Sequence, residues 1–333
     1  MTDDNSTFND SNSSVAVVND VIPRAVGFWL YIIFLIPSIL CSLVVLSYIL
    51  FHRPSRNALN NHVILVDLII GLISELTLYP WILYYYRHDG IWHRSPAFCA
   101  VWSFIDSGLY VTQMILFCWA TIERHILIFH SRWMMTKKKR FFIHYLPLIL
   151  LLLYCIIYYS IANFFPPCQN YFDDSSMQCY YLCFYDTYSI FMWEMLAHEI
   201  IPAITIVISS IALIVRVSRQ KHRVNQLIRW RSHRKMTIQS LSISLLFTVF
   251  FFPVALMNFI YLCGLPYDKG TEVFEYILFL SYYMPLLLPF VCILSLPELR
   301  NKISNILRYR RQVRRIAPEI CGIVMIVKKP MHV

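Results

Sequence analysis

Seven long apolar runs divide this chain, at about 25 to 51, 60 to 85, 98 to 129, 141 to 165, 187 to 217, 236 to 262 and 273 to 297. Each exceeds the ~20 residues with which a helix crosses a bilayer core, and the longer ones have room to tilt or to project into water. Backbone polar groups in hydrocarbon must find partners inside the segment or around a closed barrel. Barrel strands alternate apolar and polar positions, and these runs do not. The pattern predicts an all-α membrane protein, a seven-transmembrane helix bundle forming one domain over 25–297.

From Cys99 to His130 the third run reads CAVWSFIDSGLYVTQMILFCWATIERHILIFH, nearly free of charge until Glu123, Arg124 and His125. The 25 steps from Cys99 to Arg124 rise roughly 37 Å, a bilayer core plus some headgroup on each side. Asp106 lies 18 residues before Arg124, about five turns, so both point along nearly the same face. Asp67, in HVILVDLIIGL, is the lone charge in the inner half of the second run. An acid in hydrocarbon costs about 2.5–3.5 kcal/mol, so it is expected to face a polar interior. The fifth run holds Glu194, His198 and Glu199 in FMWEMLAHEIIP. Glu194 and His198 stand one turn apart on one face. Two readings follow: an internal ion pair, or part of the wall of a cavity shared with Asp106.

Composition agrees with the pattern. Of 333 residues 58% are hydrophobic and 14% charged, with mean hydropathy +0.56, which excludes a soluble globular domain. Lys and Arg number two, five and eight in the first, third and fifth connections and nine in the C-terminal tail. The N-terminus and the even connections hold only Arg24, Arg87, Arg94 and Lys269. Positive charge gathers on the cytoplasmic side, which predicts an extracellular N-terminus and a cytoplasmic C-terminus. The net charge of +10 then reports topology and attraction to anionic membrane lipids. It is not a nucleic-acid footprint, because its residues flank spans.

Residues 1–24 are polar and carry Asn-x-Ser/Thr sequons at Asn5, Asn9 and Asn12, which predicts a glycosylated extracellular tail. With no basic segment ahead of a cleavable apolar one, the first span itself is expected to direct insertion. Beyond the seventh run, 298–315 places Leu299, Ile303, Ile306 and Leu307 on one face and bases on the other. This predicts a short amphipathic eighth helix on the inner leaflet, then a cytoplasmic tail over 316–333 in which Cys321 is a candidate for acylation.

Cys41, Cys118, Cys155 and Cys292 fall inside spans as small core residues. Cys99, Cys168, Cys179 and Cys183 fall on the oxidising side, and four cysteines allow three pairings. The favoured one closes Cys168 on Cys179 and ties Cys183 to Cys99. The swap, with Cys179 on Cys99, stays open. Either pins the fourth-to-fifth connection over the mouth of the bundle.

Trp92, Cys99 and Arg124 stand in the register kept by the rhodopsin-like (class A) G-protein-coupled receptors, which the chain resembles over roughly 25 to 310. Asp67 matches that family's buried acid in helix two. Pro202, Pro253 and Pro289 match its proline kinks, and Leu299-Arg300 falls where its eighth helix begins. There are departures. The helix-one asparagine corresponds to Ser42, the helix-four tryptophan is missing, and the aromatic toggle is Phe251. The helix-seven motif reads Leu288-Pro289-Phe290-Val291-Cys292, Ser210 replaces a tyrosine, and His233 stands where many members carry the acid of the lock to Arg124.

The resemblance implies a plasma-membrane receptor with an extracellular ligand and a heterotrimeric G protein as partners, and no cofactor. Asp106 coincides with the aspartate by which amine receptors hold a cationic nitrogen, and Tyr282 with the tyrosine set against it; the alternative is an Asp106 paired only to a neighbouring tyrosine or histidine. Tyr110, Glu75, Glu194 and His198 complete the expected wall, and acids without Lys or Arg concentrate cations. An amine and a basic peptide reading Asp173-Asp174 are equally open. Glu123, Arg124, His125, Asp67, Phe251, Pro253 and Pro289 form the expected activation machinery, with Arg124 held by Glu123 at rest. Three rival classes remain. A transporter would show internal repeats, and a membrane enzyme a His-x-x-x-His or Gly-x-Ser-x-Gly in a span; neither is present. The third is a receptor-shaped protein that binds without signalling.

Overall fold

The structure is a computed structural model and describes residues 22–88, 92–129, 136–173, 177–221, 227–266, 269–296, 299–301 and 305. Seven helices are long and apolar enough to cross a membrane: α1 (Arg24–Phe51), α2 (Leu59–Arg87), α3 (Pro96–Phe129), α4 (Lys137–Phe164), α5 (Tyr188–Arg219), α6 (Thr237–Leu262) and α7 (Thr271–Ser295). Their ends fall within about one helical turn of the apolar runs read from the sequence. At the start of the expected eighth helix Leu299 is buried and Arg300 exposed, both helical. Asn5, Asn9, Asn12, Asp174, Ile303, Ile306, Leu307, Cys321 and the tail over 316–333 lie outside the described residues, as does the side chain of His233.

Each helix divides into a lipid stripe and a core stripe at helical spacing. In α1, Trp29, Ile33, Ile36 and Leu40 are exposed while Tyr31, Leu35, Ser38, Ser42 and Ile49 are buried, the three-and-four alternation of a helix with one face inward. Helices in lipid gain nothing by hiding apolar surface, so packing and side-chain hydrogen bonds must hold them together. α1 packs on α2 and α7, α7 on α2 and α6, and α6 on α5. α3 runs through the middle, against α2, α4, α5 and α6. Phe117 stacks on Phe247 with ring centroids 4.0 Å apart, and Phe247 meets Phe251 edge-on at 5.2 Å, joining α3 to α6.

Three helices contain a π turn: Phe104–Gly108 in α3, Phe141–Tyr145 in α4 and Glu194–Ile200 in α5. Pro147 offers no N–H to the carbonyl of Ile143, nor Pro202 to that of His198, so the α-helical ladder is already broken beside two of these turns. Each π turn carries buried polar side chains: Asp106, then His144, then Glu194 and His198. Such turns recur at functional sites. α2 and α7 are interrupted at Thr77 and Tyr282, each three residues before a proline. At Gly108 an added Cβ would stand 3.3 Å from Cβ of Tyr159, so α3 and α4 cross closely there.

The connection between α4 and α5 forms a hairpin of β1 (Tyr171–Phe172) and β2 (Tyr180–Tyr181), with Tyr171 opposite Tyr181. Continuing that register sets Cys168 opposite Phe184, beside Cys183, and Cys179 opposite Asp173. The disulfides follow, Cys99–Cys179 and Cys168–Cys183, which corrects the favoured pairing in favour of its swap. A short segment closing on itself through Cys168 and Cys179 had ignored the strand pairing that places Cys183 beside Cys168.

Candidate ligand pocket and the polar cluster at the opposite end

Two turns along α3 from Cys99, the Asp106 carboxylate is buried at the α3–α7 boundary. The Tyr282 hydroxyl lies 3.0 and 2.9 Å from its two oxygens, Oδ1 and Oδ2. Gln178 Nε2 donates to Oδ2 at 3.0 Å. Gln178 sits beside the disulfide-bonded Cys179, and Arg94 donates to the neighbouring Met177 carbonyl at 2.8 Å. Arg94 is itself buried among the rings of Tyr85, Trp92 and Trp102. The break in α7 leaves the Tyr282 carbonyl to accept from the Tyr79 hydroxyl, tying α2 to α7 behind the site.

Below Asp106, Tyr110 packs edge-on against Phe251 at 4.5 Å. Its hydroxyl is fully buried and has no hydrogen-bond partner among the described residues. Glu199 accepts from Asn258 Nδ2 of α6.

The other expected wall residues each bond within the bundle. Glu75 is buried between α1, α2 and α7, with Ser38 Oγ at 2.5 Å and Ser42 Oγ at 3.2 Å. Ser38 Oγ also lies 2.7 Å from the Leu286 carbonyl. Glu194 and His198 bond to each other at 2.6 Å and turn toward α4. The Tyr159 hydroxyl donates to Glu194, and Tyr154 bonds His198 Nε2 at 2.7 Å. No described hydrogen bond joins either residue to Asp106.

Sequence reasoning therefore missed Glu199, Asn258 and Gln178. Glu199 was visible as the third polar residue of its run, one position beyond the face assigned to the pocket. Gln178 and Asn258 carry no charge and no periodic signal.

At the far end of α3, Glu123 and Arg124 are each 2% exposed. The described ion pair of Glu123 is to His144 of α4, so the hold on Glu123 comes from a neighbouring helix. His144 Nε2 meets His62 Nδ1 at 2.9 Å, and His62 Nε2 donates to the Arg56 carbonyl at 2.8 Å. His125 donates to the Ser209 carbonyl of α5 at 2.8 Å. Asp67 Oδ1 is buried without a hydrogen-bond partner among the described residues. Asn60 Nδ2 donates to Gln239 Oε1 at 3.3 Å, joining α2 to α6. Phe251 is buried above this region, with Pro253 inside α6 and Pro289 inside α7.

Seven packed spans, a disulfide-tethered hairpin beside a buried acid, and an acid-arginine pair at the other end of the same helix define a receptor architecture. Residues 28–294 match the sequence profile of the 7 transmembrane receptor (rhodopsin family). The chain belongs to that family, a class of multi-pass membrane receptors and not of enzymes. Comparison with curated proteins finds no match. Among solved structures, the crystal structure of squid rhodopsin matches at TM-score 0.67 with 16% identity, covering 85% of this chain and 81% of that one.

Proposed function

We propose that this protein is a cell-surface receptor with its N-terminus outside, in which Asp106 anchors the cationic nitrogen of an extracellular ligand and Arg124 couples the bundle to a heterotrimeric G protein. One observation carries the ligand assignment. The Asp106 carboxylate is buried, and its described hydrogen bonds come from the neutral donors Tyr282 and Gln178. Neutral donors leave a buried carboxylate's charge uncompensated, so a ligand cation gains most at that point. Amines and basic peptides both satisfy this chemistry. Glu75, Glu194 and His198, expected in the same wall, also bond side chains of neighbouring helices.

Signalling requires two states of the bundle that the ligand distinguishes. Prolines inside α6 and α7 supply places where backbone pairing is already weakened. Opening the end near Arg124 would present its guanidinium to a G protein. Leu288 and Cys292, where the family carries asparagine and tyrosine, support a second reading: a receptor-shaped protein that binds ligand without G-protein signalling.

The test is G-protein dissociation in cells, with surface delivery followed through an N-terminal tag, against biogenic amines and basic peptides beside Asp106→Asn. A response that Asp106→Asn abolishes at equal surface expression is the expected result. A response indifferent to that substitution removes Asp106 as the anchor. Binding without dissociation selects the non-signalling reading.

A further inference from the structure

Glu75 is wholly buried where α1, α2 and α7 meet, and the helices around it offer no base to pair with. Between Arg24 and His52 α1 carries no charge, α7 has no base over Thr271–Ser295, and α3 has none before Arg124. The bases of α2 are His62 and Arg87, 13 and 12 residues from Glu75, roughly 18 Å or more along the helix. Cys41 on α1, Tyr79 on α2, Tyr282 and Tyr283 on α7 and Asp106 on α3 are the ionisable residues of the surrounding stretches, and none of them brings a positive charge. The contacts that Glu75 does make locate its proton by counting. Ser38 Oγ lies 2.5 Å from Glu75 Oε1 and 2.7 Å from the Leu286 carbonyl oxygen, so both are full hydrogen bonds. A serine hydroxyl has one proton and a carbonyl has none. Two bonds through Ser38 Oγ therefore need a second proton, and the carboxyl is the group there that can carry it. Ser42 Oγ, 3.2 Å from Oε2, then donates to the other carboxyl oxygen.

We propose that Glu75 is a proton-binding site: its neutral carboxyl donates to Ser38, and Ser38 donates to the Leu286 carbonyl, a relay that clasps α1, α2 and α7 together only while the proton is bound. Loss of the proton sets Ser38 Oγ between two acceptors with one hydrogen to share. Either the carboxylate or the carbonyl is then left buried without its donor, which costs more than the bond itself contributes. The carbonyl end gives way first, because an ionised carboxylate is the stronger acceptor, and α7 is released from α1. That release falls one turn along α7 from Tyr282, the partner of Asp106. One turn along α2 from Glu75, the Tyr79 hydroxyl bonds the Tyr282 carbonyl, so the two ties to α7 stand side by side. The proton on Glu75 thus sets how firmly α7 holds Tyr282 against the pocket acid, and the receptor responds to pH through α7.

The test is pH-difference infrared spectroscopy of the purified full-length receptor between neutral and alkaline pH, in a detergent without ester carbonyls, beside its melting temperature over the same range. At neutral pH the wild type should show the C=O stretch of a protonated carboxylic acid that disappears at alkaline pH, and Glu75→Gln should lack that band. The glutamine amide donates to Ser38 as the neutral acid does, so Glu75→Gln should melt at the wild-type temperature at neutral pH. The folded state holds a proton that a solvated carboxyl has already shed at neutral pH, so the wild type should lose melting temperature as the pH rises. Glu75→Gln should lose less. Ser38→Ala takes away the acceptor of the acid proton and should shift the band upward without abolishing it. If Glu75→Gln melts like the wild type and keeps every carboxylic-acid band, Glu75 is ionised and the proposal is overturned. If the band is lost but both proteins respond to pH alike in melting, the clasp is overturned. Should Glu75→Gln fail to fold, Ser38→Ala decides, and a band that it leaves unmoved overturns the relay.

Discussion

Glu123 and His144 are almost wholly buried, and the described ion pair of each is with the other. Removing His144 leaves the buried Glu123 carboxyl without the side-chain partner described for it, at about 1–3 kcal/mol or more. His144→Ala should therefore lower the melting temperature of the receptor in detergent, and His144→Ala with Glu123→Gln should recover part of the loss. A double substitution no better than the single one would show that the cost is a cavity and not an unpartnered carboxyl. The pair also marks what sequence reading reaches at this scale. Glu123 and Arg124 are adjacent and were legible together, but His144 lies 21 residues further on in another helix. Glu199 was missed for a related reason: with Glu194 and His198 assigned to the pocket by their shared face, its own direction depended on how the π turn is wound.

Between elements, the closest constraint is the crossing of α3 and α4 at Gly108. An added methyl would meet Cβ of Tyr159 at 3.3 Å, an atom fixed to the α4 backbone that cannot rotate out of the way. Tyr159 would have to give by a few tenths of an ångström, which strains its bond to Glu194. Gly108→Ala should cost about 1–3 kcal/mol, as overpacking does, read as a lower melting temperature. Wild-type stability in that variant would mean that the crossing gives way easily. The seven helices were legible because each apolar run exceeds what a bilayer core requires. The π turns and the cystine pairing were not. A π turn leaves no mark on hydropathy, and the pairing follows from the register of a hairpin whose described strands are two residues each, too short to show a period of alternation.

Across the whole molecule, the two polar regions lie at opposite ends of α3, Asp106 toward the disulfide and Arg124 beyond the aromatic contacts of Phe117, Phe247 and Phe251. Tyr110 contacts Phe251 from the pocket side, so a ligand that moves Tyr110 presses on the aromatic column joining α3 to α6. If the two ends bias one two-state bundle, their coupling must be reciprocal: what the ligand does for the G protein, the G protein does for the ligand by the same factor. Adding purified G protein to membranes containing the wild-type receptor should tighten binding of a stabilising amine by a factor in the range of about 5–150. Arg124→Ala should abolish that tightening and leave the affinity measured without G protein unchanged, because Arg124 is remote from the pocket. Asp106→Asn should do the converse, removing amine binding while G protein still associates at its basal level. A variant of Arg124 that keeps the full tightening would mean that the coupling path bypasses the acid-arginine end of α3. Equal amine affinity with and without G protein in the wild type would mean that the two ends are not linked, and the protein would then be a receptor in architecture that binds without passing the signal on.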